Sequence, residues 1–163
     1  MKKAIPDSIR QQVLEEAGYQ CVYCGHRDGL NLTIHHILRT RDGGKTSFYN
    51  LMALCYNCHH RVDESNTIAD KELRRLKRYL IHKRLTQAGV NALKIAYNNS
   101  FGVVAAPFAI THLVEEKLLK YIKWQMFEVD RETGGETEAM ALYRITDKGR
   151  KIVEDWIIPK SKQ

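Results

Sequence analysis

The sequence lacks any apolar run approaching the length that crosses a bilayer, which excludes a membrane-spanning helix. Its first residues, MKKAIPDSIR, carry basic side chains with no apolar stretch behind them, so a secretory leader is not expected. It has no internal repeat and no low-complexity tract, which sets aside solenoids and disordered tails. It is short of acid: 19 Asp and Glu face 26 Lys and Arg, a net charge of +7. That balance favours a polyanionic partner, and excludes nothing else by itself. Cysteine is scarce too. There are four, and two Cys-x-x-Cys pairs, Cys21/Cys24 and Cys55/Cys58, use them all. With no leader, a reducing, cytoplasmic setting is expected, where such pairs are metal ligands rather than disulfides.

What is present is concentrated in residues 21–63, CVYCGHRDGLNLTIHHILRTRDGGKTSFYNLMALCYNCHHRVD. Each cysteine pair presents two sulfurs from one tight turn, and two pairs complete a tetrahedral zinc shell. Two redox dithiols are the weaker alternative, because no βαβ pattern surrounds either pair. A purely structural zinc ribbon explains the cysteines completely, so the case for chemistry rests on other residues. His35 and His36 are adjacent in TIHHI, which alternates as a strand does and sends the two rings to opposite faces. A turn is expected at Gly43 and Gly44, where positive φ costs little. Asn50 precedes the apolar return LMALC. A short helix is expected after Cys58, with His59 in its first turn and Asp63 one turn later on the same face. His60 is a neighbour that could substitute for it, though its face is off by about a quarter turn, and His26 lies in the exposed knuckle after Cys24.

These residues resemble the HNH endonuclease family in its zinc-ribbon version. The resemblance is sharpest over this quarter of the chain and weaker over the first half. In that family an acidic residue or histidine holds the catalytic ion and the histidine after it is the general base. Carried over, His35 is a metal ligand and His36 the base. Asn50 fixes the loop and the base, and His59 is the second metal ligand. Asp63 occupies the position from which some members take a further ligand. The resemblance also implies a ββα-metal fold, a catalytic Mg2+, Mn2+ or Ni2+ ion beside structural Zn2+, and 5′-phosphate and 3′-hydroxyl ends. Compact HNH proteins with an added DNA-binding part are similar to phage-encoded or homing endonucleases, and a phage-encoded one would work in the host cytoplasm. The expected partner is double-stranded DNA, with no membrane, and a homodimer is one admissible assembly.

Around this centre the chain reads as α+β. Residues 6–18 are expected as a helix capped by Asp7 or Ser8 and closed by Gly18, with Ile9, Val13, Leu14 and Ala17 on one face. So thin a core leaves structural zinc to supply much of the folding free energy. Arg39, Arg41 and Lys45, on the loop between the histidines and Asn50, are candidate phosphate contacts; a solvated loop is the plain alternative. Residues 69–85 are strongly basic, with Lys71, Arg74, Arg75, Lys77, Arg78, Lys83 and Arg84 against Asp70 and Glu72. Leu73, Leu76, Leu80 and Tyr79 recur at helical spacing. The expectation is an amphipathic helix whose cationic face, Arg74, Arg75 and Arg78 included, follows a DNA backbone. Helix continues over 86–98, with Gly89 permitting a break or a close contact.

The expected division is a nuclease domain over 1–68, basic linking helices over 69–98 and a third piece over 99–163, with the boundary inside 66–86. In the third piece a helix (107–121), a strand (123–130), a turn at TGGE (133–136), a return strand (137–145) and a capped helix (146–156) follow in order. With the helices before it the order is helix–helix–helix–hairpin–helix, which resembles winged-helix domains, and the run YRITDKGRKIVE is similar to the end of the wing in MarR- and PadR-like regulators. The resemblance implies a recognition helix near 108–120 and a wing near 131–136. The acidic Asp130, Glu132 and Glu136 count against base reading there, so a protein contact stays open. The alternative function is a non-catalytic zinc-ribbon and winged-helix DNA-binding regulator. RNA as substrate is a third.

Overall fold

The structure is a computed structural model that describes residues 4–27, 31–129 and 136–158; for 124–129 and 136–139 it describes the backbone alone. The chain forms two compact units, Met1–Arg84 and Leu85–Gln163. The cut falls inside the segment expected to link two domains, so the first half of the basic helix belongs to the first unit.

In the first unit, helix α1 spans Asp7–Glu16 and buries Val13 and Leu14, with Ala17 just beyond. Neither Asp7 nor Ser8 caps it. Pro6 holds the cap position without a side-chain bond, and Asp7 sits inside the first turn, where its charge suits the helix dipole. Gly18 and Tyr19, both left-handed, close the other end, Tyr19 N donating to Leu14 O at 2.9 Å. Strands β1 (Leu32–His36) and β2 (Leu51–Cys55) pair antiparallel, Leu32 opposite Cys55 and His36 opposite Leu51. Every residue of β2 is buried, so this strand is the floor on which the site stands.

Helix α2 (Tyr56–Asp63) follows β2 at once. It was expected only after Cys58. Instead Cys55, extended at φ −69° and ψ 161°, is its cap, and nothing between the two cysteines resists helix. The second cysteine pair is therefore a strand end plus the first helical turn. Between the strands, Thr40–Asp42 form a 3-10 turn that ends on Gly43 at φ +85°. Gly44 is needed for space: a Cβ there would fall 1.8 Å from the Leu38 carbonyl oxygen.

Helix α3 (Asp70–Asn98) is interrupted at Thr86, whose φ of 59° and ψ of 163° are not helical. Its first half buries Leu73, Lys77 and Ile81, four residues apart. Lys77 thus leaves the cationic face assigned to it: it is fully buried and pairs with Glu16 of α1, itself 4% exposed. Its ammonium also lies 4.3 Å from the Phe48 ring centroid, and the Arg84 guanidinium 4.7 Å from it. Tyr79, expected with the apolar residues, is 66% exposed.

In the second unit the break at Thr86 replaces the one allowed at Gly89. Thr86 Oγ1 accepts from Gly89 N at 3.2 Å and so caps the second half of α3. Gly89 makes the close contact instead; a Cβ there would meet His112 Nε2 at 2.8 Å. That Nε2 lies 2.9 Å from Leu85 O, a carbonyl the break deprives of its helical partner. A strand that the sequence did not announce, β3 (Val103–Ala105), opens a sheet of order β3-β5-β4, with β4 at Leu119–Val129 and β5 at Glu136–Ile145. Helix α4 (Pro107–Glu115) stops short of 121 because Lys117 turns left-handed and Leu118 N returns to Leu113 O at 2.8 Å. β4 accordingly begins at 119 rather than 123. Helix α5 (Asp147–Ile152) is capped by Thr146 and runs into a π turn, Val153–Ile157. Among the described residues one helix, α4, stands between β3 and β4. The expected wing at 131–136 lies, except for Glu136, outside the described residues.

Candidate active site and metal centre

The four cysteines come from three kinds of local structure. Cys21 and Cys24 flank a turn closed by Gly25 N to Cys21 O (2.8 Å) and Cys21 N to His26 O (2.9 Å). Cys55 ends β2 and Cys58 sits in α2. No disulfide joins them. All four sulfurs lie within 4.8 Å of one another, Cys24 and Cys55 at 3.7 Å. A tetrahedron with metal–sulfur bonds of about 2.3 Å has edges of about 3.8 Å, so the cluster fits a structural metal site. The thiols are strongly polarised against each other. Burial, reinforced by its three neighbours, pushes the Cys58 thiol well up. Burial also acts to raise Cys21, but backbone hydrogen bonds at Cys24, Cys55 and Tyr23 bring it down to about 7. Four sulfurs this close cannot all ionise without a cation between them. The His26 side chain is exposed and stands outside the cluster.

The second cluster joins β1 to α2. His35, His59 and Asp63 bring a ligand atom each within 4.8 Å of the others. Asp63 Oδ2 is 3.3 Å from His59 Nδ1, and its Oδ1 is 3.9 Å from His35 Nδ1. The two imidazoles meet edge to face with centroids 5.2 Å apart. His35 is 4% exposed, and burial holds it down to about 4 against the opposing pull of Asp63. It is therefore neutral at physiological pH, as a ligand must be. Two imidazoles and one carboxylate suit a divalent transition metal and leave coordination positions open. His60 turns away to Glu64, 2.8 Å distant.

His36, next along β1, is outside this trio. Its Nε2 lies 3.0 Å from Thr46 Oγ1, and burial lowers its pKa. Thr46 carries no local sequence signal; only the path of the loop brings it to the ring. Asn50 clasps that loop. Its Oδ1 accepts from Leu38 N (2.9 Å), and its Nδ2 donates to Leu38 O (2.9 Å) and Lys45 O (3.0 Å). Of the three loop cations, Arg39 is turned inward, its Nη2 3.5 Å from Asp63 Oδ1. Arg41 is exposed beside Asp42 at 3.8 Å, and the Lys45 side chain is exposed. The Arg39–Asp63 pair was not legible from the sequence, because 24 positions separate two residues with no shared motif. On α3, Arg74, Arg75 and Arg78 are all exposed. No helix among the described residues is long and apolar enough to cross a membrane.

Comparison with known families adds one match: residues 21–64 fit the HNH endonuclease family, from the first cysteine to the residue after Asp63. No curated protein matches the chain. The matched stretch contains both clusters and the Asn50 clasp, and the remainder of the chain is outside it.

Proposed function

We propose that this chain is a metal-dependent HNH endonuclease that hydrolyses phosphodiester bonds of double-stranded DNA. The observation that carries the reading is the convergence of His35, His59 and Asp63 beside a histidine that belongs to neither cluster. His35, His59 and Asp63 would hold a divalent ion, which would supply charge relief to the phosphate and to the leaving oxygen. The protein's own residues do the rest. His36 is the general base: its lowered pKa keeps the ring neutral, so a nitrogen lone pair is available to take a proton from water. In the tautomer that donates Nε2–H to Thr46, that lone pair is on Nδ1. Asn50 holds the loop that carries Thr46 and Arg39. Structural Zn2+ on Cys21, Cys24, Cys55 and Cys58 braces the scaffold, Arg39 meets phosphate, and the exposed Arg74, Arg75 and Arg78 follow the DNA backbone.

The second reading is a non-catalytic zinc-ribbon and winged-helix DNA-binding regulator. One observation favours it: one ring nitrogen of His36 is already engaged by Thr46 Oγ1 at 3.0 Å. A plasmid-nicking assay separates the two, run with added Mg2+ or Mn2+ and with EDTA, with RNA of matched length as a further arm. Ion-dependent nicking by the wild type, lost in His36→Ala with zinc content and DNA binding unchanged, is the expected result. Undiminished nicking by His36→Ala overturns the assignment of the base. Absence of nicking under any ion leaves the regulator.

A further inference from the structure

Asp63 is the one carboxylate of the histidine cluster, and it has two claimants. Its Oδ2 faces His59 at 3.3 Å, while its Oδ1 faces both His35 at 3.9 Å and the Arg39 guanidinium at 3.5 Å. We infer that Arg39 and the divalent ion compete for Asp63, so that ion binding releases Arg39 to take a DNA phosphate. This rests on the nuclease reading and adds to it an order of assembly.

The physical basis is local. A guanidinium held against one ligand oxygen spends part of that ligand's charge and sets a positive group beside a site meant for a dication. When the ion takes the carboxylate, Arg39 loses its partner and is repelled from the same place. Its backbone does not have to move. Both polar backbone groups of Leu38, the residue before it, are bonded to Asn50, so the side chain swings from a fixed base. Arg39 and Asp63 are 29% and 37% exposed, so the exchange takes place at the surface and involves no repacking. A freed guanidinium has a planar fork of donors that matches a phosphate. Coupling of this kind is reciprocal: DNA that occupies Arg39 frees Asp63 and tightens the ion. The protein then holds neither ligand firmly without the other.

The test uses the full chain, Mn2+ and a short duplex. Without DNA, Arg39→Gln binds Mn2+ roughly two- to fivefold more tightly than wild type, as expected for loss of one surface ion pair. Arg39→Lys, which keeps the charge, stays near wild type. In a cleavage-dead His36→Ala background, Arg39→Gln weakens duplex binding severalfold with Mn2+ present and by less than twofold without it. A plain phosphate contact would lose the same factor in both conditions, and that result overturns the inference, as does unchanged or weaker Mn2+ binding by Arg39→Gln. His59→Ala distinguishes the parent reading. If it leaves Mn2+ uptake intact, the ion site itself is wrong; if it abolishes uptake while Arg39→Gln changes nothing, only the competition is wrong.

Discussion

Replacing Asn50 tests how the loop between β1 and β2 is held. Its amide makes three hydrogen bonds to backbone groups at Leu38 and Lys45, of 2.9, 2.9 and 3.0 Å. At a net worth near 1 kcal/mol each they total about 3 kcal/mol. The side chain is half exposed, and water recovers part of that in Asn50→Ala, leaving a cost of about 2 kcal/mol. Asn50→Asp is nearly isosteric and retains the acceptor for Leu38 N. It loses both donations and sets a carboxylate oxygen against the carbonyls of Leu38 and Lys45, so it costs about 1 kcal/mol more than alanine. Exchange of the Leu38 amide is the direct assay. About 2 kcal/mol of lost local protection accelerates it some 30-fold in Asn50→Ala, and Asn50→Asp unfolds the first unit at lower temperature than Asn50→Ala. The two carbonyls raise the pKa of the new carboxyl. Its excess cost is therefore present above that pKa and is relieved as pH falls through it, when the protonated group can donate again. If alanine proves as damaging as aspartate at neutral pH, Asn50 does not act through this clasp.

Other outcomes follow from the same geometry. Glu16→Ala leaves the buried Lys77 ammonium unpaired and costs about 3–5 kcal/mol in urea unfolding of the first unit, whereas Lys77→Met combined with Glu16→Leu costs far less; equal costs would deny the pair its role. His35 is buried neutral with its pKa lowered to about 4, so the unfolded chain binds the extra proton between about 6.5 and 4. Ion-free protein should lose stability as pH falls across that window, by at most about 1.4 kcal/mol per pH unit, and His35→Gln should flatten the slope between pH 6.5 and 5.5. Stripping the cysteine-bound metal should expose four reactive thiols and unfold the first unit, read by thiol titration beside circular dichroism; a fold that survives would contradict the dependence on zinc.

The sequence disclosed what local spacing encodes. Two Cys-x-x-Cys pairs, the adjacent histidines and the four-residue step from His59 to Asp63 are short-range patterns. The structure gathers the cysteines into one cluster and His35, His59 and Asp63 into another. It hid what depends on the path of the chain. Lys77 looked like one more cation in a basic run, because helical phase alone does not tell which face meets α1 and Glu16. Thr46 and Arg39 gain their partners from a loop whose course is set by Gly44 and Asn50. In the second unit, β3 is three residues long and too short to show an alternation. The end of α4 depends on a left-handed Lys117, where glycine would have given the signal.

The burial of Lys77 also says where this polypeptide can be divided. A fragment ending at 68, the edge suggested by the motif, discards the ammonium that pairs with the buried Glu16 carboxylate and that lies against the Phe48 ring. A minimal fragment for testing the proposed activity should instead run through Arg84, retaining a helical stretch that the family match does not cover.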